Sequence, residues 1–280
     1  MLYMPGANER AMEKARSLAC DSIIFDLEDA VAAQAKDSAR ESVARAVAEG
    51  GYGFRELVVR VNSLDTAWGS DDVAMFAKLD VNALLFPKVE SREQVTAILR
   101  EVDAAGGERL PIWLMIETPR GVLDVRTVAA HSPRITCLVM GTSDLVKELR
   151  ASHTADRQNI AYALQRCVLV ARELDLDVLD GVHLDFRNLE SFEQACQQAR
   201  LMGFDGKTLI HPGQVDIANQ SFGYSDEAIA DARAVIDVWQ EAQTAGKGVA
   251  VHEGRLIENL HAAQAERVLA FADVLAAREL

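Results

Sequence analysis

Short apolar segments alternate with longer amphipathic segments along most of the chain, and this alternation restricts the fold more than any other feature. The apolar segments are continuous hydrophobic runs, among them "SIIFDLE", "ELVVRVN" and "IWLMIET". Continuous runs are typical of parallel strands that are buried on both faces. Eight strand–helix units in 280 residues therefore predict an α/β fold of the (β/α)8 TIM-barrel type. An open, doubly wound sheet is the alternative.

The pattern changes after about residue 222. Ser225 is the predicted N-cap of a long amphipathic helix, and a Gly-rich turn, a short strand-like piece and a final helix follow. We predict a TIM-barrel catalytic domain over residues 1–222 and a C-terminal helical extension over residues 223–280. The extension is expected either to pack under the barrel or to reach a neighbouring subunit.

Composition excludes several functional classes. Acidic residues outnumber basic ones by 43 to 29, so the formal net charge is −14, and no basic stripe is available for nucleic acid. No apolar run approaches the roughly 18–20 residues that span a membrane, and the first residues do not resemble a secretory signal. The cysteines lack metal-ligand spacing, which predicts buried, reduced thiols in a cytoplasmic protein. They are Cys20, Cys137, Cys167 and Cys196.

Two predicted strands end at a carboxylate. Glu117 follows the apolar run "IWLMI", and Asp144 follows "CLVMGTS". Two carboxylates at equivalent ends of adjacent strands, without Cys or His beside them, favour a hard cation such as Mg²⁺ or Mn²⁺. Such a cation could act as a Lewis acid on a keto acid or its enolate. The alternative is structural, with the two acids as helix N-caps or as partners of Arg120 and Lys147.

Two neighbouring strand ends bring an arginine from an apolar strand together with several acids. Arg60 lies in the apolar run "VVRVN", where its planar guanidinium suits recognition of a carboxylate. Asp26, Glu28 and Asp29 crowd the end of the preceding strand, and crowding of this kind can supply a general base. The alternative is a purely structural network, in which these acids pair with Arg60 and with basic residues such as Lys88.

Other catalytic motifs receive no support. No serine lies in a GxSxG turn, and no Gly-rich phosphate loop follows a strand, which argues against a serine hydrolase and a nucleotide-binding protein of those types. His183 and His211 are interpreted as structural residues.

Seven motifs, taken together and in order, resemble the citrate lyase β-subunit and malyl-CoA lyase family. They are "YMPGANERAMEKA", "IIFDLEDAV" with "KDSAR", "VVRVN", "LLFPKVES", "MIETPRG", "GTSDL" and "GFDGKTLIHPGQV". The family is related to the metal-dependent pyruvate aldolases. The resemblance implies a TIM barrel, usually assembled as a homotrimer or hexamer.

The resemblance also implies roles for individual residues. Glu117 and Asp144 would bind Mg²⁺, and Arg60 would hold the carboxylate of a keto acid. Asp29 occupies a position that carries a catalytic His in the related aldolases, so Asp29 and Glu28 are candidate bases.

Three further assignments complete the predicted site. The backbone of "ETPRG", which includes Pro119, would lie near the bound keto acid, and Lys88 at the end of strand four is assigned to substrate binding. Glu258 in "GRLIENL" stands where CoA-lyase members carry a catalytic Asp that often reaches a neighbouring subunit. Glu258 could be catalytic with a displaced reactive oxygen, could favour hydrolysis over carbon–carbon cleavage, or could be only a surface residue. Family members also commonly carry an Arg shortly before the first strand, and we expect any thioester or substrate contact from that Arg to be missing or replaced in this protein.

The expected activity is Mg²⁺-dependent carbon–carbon cleavage of a 3-hydroxyacyl-CoA, of malyl, citramalyl or citryl type, into an acyl-CoA and a 2-keto acid. A thioesterase on the same scaffold and an aldolase acting on free acids are alternatives. An acyl carrier protein could replace free CoA as the carrier. The non-enzymatic alternative is an assembly subunit without catalytic activity.

Overall fold

The computed structural model describes residues 1–278. Its strands include eight in one parallel sheet and two in a separate hairpin. They are β1 (Leu2–Pro5), β2 (Ser22–Asp26), β3 (Glu56–Arg60), β4 (Ala83–Phe86), β5 (Ile112–Ile116), β6 (Ile135–Met140), β7 (Asp177–Asp180), β8 (Gly206–Lys207), β9 (Ala250–His252) and β10 (Arg255–Ile257).

The α-helices follow the strands in alternation, and short 3₁₀ turns precede some of them. They are α1 (Glu9–Ala15), α2 (Lys36–Glu49), α3 (Gly69–Phe76), α4 (Arg92–Ala104), α5 (Pro119–Ala129), α6 (Thr142–Glu148), α7 (Ala161–Glu173), α8 (Leu189–Met202), α9 (Val215–Phe222), α10 (Asp226–Thr244) and α11 (Asn259–Arg278). No helix within residues 1–278 is long and apolar enough to cross a membrane.

The eight parallel strands pair in chain order, β1 through β8. The sheet closes on itself beyond β8, where Leu209 forms a parallel bridge with Leu2. The amide of Leu209 donates to the carbonyl of Met1 (2.8 Å), and the amide of Tyr3 donates to the carbonyl of Leu209 (2.9 Å). This closure confirms the predicted (β/α)8 TIM barrel and rules out the open doubly wound sheet.

Both faces of the strands are buried, which explains the continuous apolar runs. Ile24 and Val58 belong to a compact cluster inside the barrel, whereas Ile23, Phe25 and Val59 belong to the larger core between strands and helices. Successive residues of a strand point to opposite faces, so each strand supplies both cores. All four cysteines are free and buried, as predicted.

The residues form two compact units, one over Met1–Phe222 and one that begins at Gly223. In the second unit, α10 and α11 enclose a small core around Val235, Trp239 and Ile257, and β9 and β10 form an antiparallel hairpin. The hydroxyl of Ser225 accepts the amide of Ala228, which confirms the predicted N-cap of α10. A contact between this unit and a neighbouring subunit stays a prediction.

Candidate active site

A cavity of about 380 Å³ opens where the barrel strands end. Parallel strands bring their carboxyl ends to one face of a barrel, which is where TIM-barrel active sites lie. Its walls contain acids, one arginine and several neutral polar groups. Among the lining residues are Tyr3, Asp29, Arg60, Glu117, Ser143 and Asp144.

Glu117 and Asp144 both reach this cavity, as the sequence predicted. Glu117 directly follows β5 and is 2% exposed, while Asp144 lies in the first turn of α6. Neither is a helix N-cap, because the hydroxyl of Thr118 caps α5 and Gly141 precedes α6. Asp144 is 3.7 Å from the exposed ammonium of Lys147, a loose contact that leaves the carboxylate available.

Burial controls the charge of Glu117. It raises the pKa of this carboxyl group to about 7, although the positive charges of Lys88 and Arg60 act in the opposite direction. The Oε1 atom accepts the backbone N–H of Lys88 at 2.8 Å. A buried carboxylate with a fixed orientation is suited to ligation of a cation.

The residues around the cavity fit a divalent cation. Glu117 and Asp144 offer oxygen ligands, which hard cations prefer, and the hydroxyl oxygen of Ser143 is buried without a hydrogen-bond partner in the described part of the chain.

Arg60 is held by all three acids at the end of β2. Its Nε and Nη2 donate to the two oxygens of Asp26 at 2.7 and 2.6 Å. Its Nη1 lies 2.9 Å from Glu28 Oε2 and 3.6 Å from Asp29 Oδ2, and the ring of Tyr3 lies 5.0 Å from the guanidinium carbon. The salt-bridge network considered from the sequence is therefore present, and it orients Arg60 at the cavity.

The neighbouring acids Glu28 and Asp29 have different properties. Burial raises the pKa of Glu28. Burial acts in the same direction on Asp29, but the interaction with Glu28 and the charge of Arg60 lower the pKa of Asp29. Asp29 is also the more exposed of the two and lines the cavity. Asp29 therefore presents an ionised carboxylate to the cavity, whereas Glu28 is paired with Arg60 and Lys88. A role of either residue as the base stays a prediction.

The other predicted site residues lie outside the cavity lining. Lys88 lies two residues beyond β4 and its ammonium donates to Glu28 Oε1 at 2.7 Å. Pro119 is the first residue of α5. Glu258 belongs to the second unit, where its side chain is exposed and its amide donates to His261 Nδ1 at 3.0 Å. Substrate contacts of Lys88 and Pro119 and a catalytic role of Glu258 stay predictions.

Sequence reasoning missed Tyr3 and Ser143. Tyr3 is adjacent to Ile24 in the sheet and packs against the inner barrel cluster, so strand alternation could have identified it. Ser143 precedes Asp144 directly in the chain, but no pattern indicated that its hydroxyl would be unpaired. His211, by contrast, has the structural role expected of it, because its Nδ1 accepts the amide of Gly213.

Known proteins resemble this chain over nearly its full length. The chain is 46% identical over 277 residues to a (3S)-malyl-CoA thioesterase of Cereibacter sphaeroides strain KD131, which covers 99% of this chain and 95% of that protein. It is 30% identical over 285 residues to citrate lyase subunit beta of Escherichia coli strain K12, covering 100% and 94%.

A solved structure and a family model agree with these relatives. The structure of CitE from Mycobacterium tuberculosis in complex with magnesium, acetoacetate and coenzyme A has a TM-score of 0.78 and 28% identity, and 97% of each chain is covered. Residues 1–212 match the model described as HpcH/HpaI aldolase/citrate lyase. This chain therefore belongs to the HpcH/HpaI aldolase/citrate lyase family.

Proposed function

We propose that this protein is a Mg²⁺-dependent enzyme that hydrolyses a 3-hydroxyacyl-CoA thioester of the malyl type. The observation that carries the proposal is the convergence of Glu117, Asp144 and Arg60 on one cavity. The thioesterase from Cereibacter sphaeroides, at 46% identity, favours hydrolysis. Magnesium in the CitE complex favours this cation.

Separate residues would bind the cation and the carboxylate of the substrate. Glu117 and Asp144 would hold Mg²⁺, which supplies a Lewis acid for the polar end of the acyl group. Arg60 Nη1 would bind the terminal carboxylate of that group, in place of its present contact with Glu28. The edge of Arg60 bound to Asp26 would keep the guanidinium in position.

The hydrolytic step needs a base near the thioester carbon. Asp29 would accept a proton from water while the water oxygen forms a bond to that carbon. The C–S bond would then break, and the CoA thiolate would take up the proton that Asp29 accepted and leave as the thiol, which restores the Asp29 carboxylate. Glu258 of a neighbouring subunit is the alternative base.

Carbon–carbon cleavage is the second candidate, supported by the identity to citrate lyase subunit beta. In that reaction a carboxylate would remove the proton of the hydroxyl group, the adjacent C–C bond would break, and its electron pair would pass into the enolate of the acyl-CoA. Return of a proton to the α-carbon of this enolate would give the acyl-CoA beside the 2-oxo acid. The carboxylate clamp at Arg60 suits either reaction. The two differ in whether a 2-oxo acid is formed.

An assay that follows two products separates them. Purified protein would be given malyl-, citramalyl- and citryl-CoA with Mg²⁺ or with EDTA, and free thiol and 2-oxo acid would be measured separately. Free thiol without 2-oxo acid is the expected result, and 2-oxo acid without free thiol would establish the lyase. Activity that persists in EDTA would contradict the metal-dependent proposal.

Two variants assign the activity to the cavity. E117Q keeps the shape of the side chain but removes its charge, so we expect it to lose Mg²⁺-dependent turnover. E41Q makes the same change on the exposed surface of α2 and should retain it. If the wild-type protein is inactive on all three CoA esters, carrier-protein thioesters and free acids are the next substrates to test.

A further inference from the structure

The backbone of Lys88 has an unusual conformation beside the cavity. Its φ angle is +52°, in the left-handed region that side chains other than Gly and Asn rarely adopt. Lys88 lies in the loop that follows β4. This loop packs closely against the start of α5, because a Cβ added at Gly121 would lie 2.8 Å from the carbonyl oxygen of Val89. A strained residue held by its surroundings next to a functional site points to a role in that site.

The left-handed turn aims the amide of Lys88 at a single atom. That atom is Oε1 of Glu117, which accepts the N–H at 2.8 Å. The ammonium of the same residue points elsewhere and donates to Glu28 Oε1 at 2.7 Å. The backbone and the side chain of Lys88 therefore contact two different carboxylates, and mutation can separate their effects.

Gly141 confines the other side of the Glu117 carboxylate. A Cβ built at Gly141 would lie 2.4 Å from Glu117 Oε2 and 2.4 Å from Glu117 Cβ, closer than non-bonded atoms approach. Gly141 has a φ of −95°, which any residue can adopt. The glycine is thus required by the space that Glu117 occupies and not by backbone conformation.

We propose that Lys88 and Gly141 are positioning residues for the metal ligand Glu117. The amide of Lys88 fixes one carboxylate oxygen, and the missing side chain of Gly141 leaves room for the other, so the carboxylate is oriented before a cation arrives. This inference rests on the proposed metal site. It gives Lys88 a role through its backbone, distinct from contact with substrate.

A matched pair of variants tests the role of the backbone. K88N and K88V both remove the ammonium, but Asn tolerates the left-handed region and a β-branched Val does not. We expect K88N to bind Mn²⁺ as the wild type does. K88V should bind it about 10–100-fold more weakly, as is usual when a group that orients a metal ligand is lost. The measurement is titration with Mn²⁺ alone, by calorimetry or by the EPR signal of free Mn²⁺.

A second pair tests the role of the glycine. G141A adds a methyl group against Glu117 without backbone strain and should weaken Mn²⁺ binding by a similar factor of about 10–100. G248A is the control, because no atom lies within 4 Å of the added Cβ, and it should bind as the wild type does. Circular dichroism and thermal unfolding of each variant report whether it folds.

The outcomes distinguish this inference from the proposed function. A wild-type protein that binds no Mn²⁺ would overturn the metal site and, with it, the inference. A wild type that binds Mn²⁺ while K88V and G141A bind equally well would overturn the inference alone. Equal losses in K88N and K88V would assign the effect to the ammonium and also overturn it. If K88V does not fold, the comparison of the Mn²⁺ affinities of G141A and G248A decides the outcome.

Discussion

Arg60 shows what a single residue contributes to this site. It is 7% exposed, and its two bonds to Asp26 use the flat edge of the guanidinium, which an ammonium cannot reproduce. The free energy of burying the charge is thereby offset by paired hydrogen bonds. Nη1 is left on the side of Glu28 and Asp29. Binding of a substrate carboxylate therefore requires an exchange of partners at Nη1.

R60K is expected to keep the charge and lose the orientation. A displacement of about 1 Å in a binding group can cost about 100-fold in rate, so we expect kcat/KM for the preferred thioester to fall by about that factor. The control is R126K, because Arg126 also contacts both carboxylate oxygens of Glu173 on the exposed surface, with Nε donating to Oε2 and Nη2 to Oε1. If R60K matches R126K in the assay, the carboxylate clamp is wrong.

Glu117, Asp144 and Arg60 could be predicted individually because charges that end apolar strands are conspicuous in a sequence. The left-handed conformation of Lys88 could not, since positive φ angles are normally signalled by Gly or Asn. The pairing of Arg60 with Asp26 was one of several alternatives, because a sequence gives no side-chain directions. The residue types of the site could thus be predicted from the sequence, but their hydrogen bonds could not.

At the scale of elements, the order of strands and helices followed from hydrophobic patterns, but their ends did not. The apolar run that ends at Glu28 forms a strand only to Asp26, because the next residues turn back and donate to the Asp26 carboxylate. The segment 155–174 reads as one helix, yet a turn and a 3₁₀ segment precede α7. Local hydrogen bonds determine where such strands and helices end, and the period of the hydrophobic pattern does not predict those bonds.

A buried ion network joins three of these elements. Asp180 at the end of β7 accepts bonds from Lys207 of β8 and from Arg157 before α7. Burial acts to raise the pKa of Asp180, but the charges of Lys207 and Arg157 lower it. Its ionised form therefore stabilises the folded state above the unfolded pKa of about 3.9, and this contribution is lost as pH falls through the lower folded value.

D180N should lower the free energy of unfolding at pH 7 by about 3–5 kcal/mol, because it leaves the buried Lys207 and the partly buried Arg157 without their counter-charge. The difference from wild type should shrink below about pH 4. Urea titrations across the acidic range measure both quantities. E173Q, which breaks an exposed pair with Arg126, should change the free energy of unfolding much less than D180N does, because solvent screens an exposed pair. A D180N difference that does not change with pH would contradict this account.

At the scale of the whole molecule, the prediction to test concerns Glu258, the alternative base of the hydrolytic step. The exposed position of Glu258 in the second unit is compatible with the prediction that it serves a neighbouring subunit. We expect E258Q to lower kcat and to leave Mn²⁺ affinity unchanged, since it is not a predicted metal ligand.

Mixing subunits tests this prediction in trans. E258Q and E117Q would be prepared separately, then unfolded and refolded together. If Glu258 acts across subunits, mixed assemblies contain sites with both acids intact and activity should return. E258Q mixed with itself is the control. Absence of recovery in verified mixed oligomers would place Glu258 outside the neighbouring site.

The closure of the barrel through Leu209 has a consequence for binding. The strand that completes the ring, β1, also carries Tyr3, whose amide bonds to Leu209 and whose side chain lies over Arg60 in the cavity. We expect a ligand that packs against Tyr3 also to stabilise the hydrogen bonds between β1 and Leu209. Substrate should then slow hydrogen exchange at the amides of Tyr3 and Leu209.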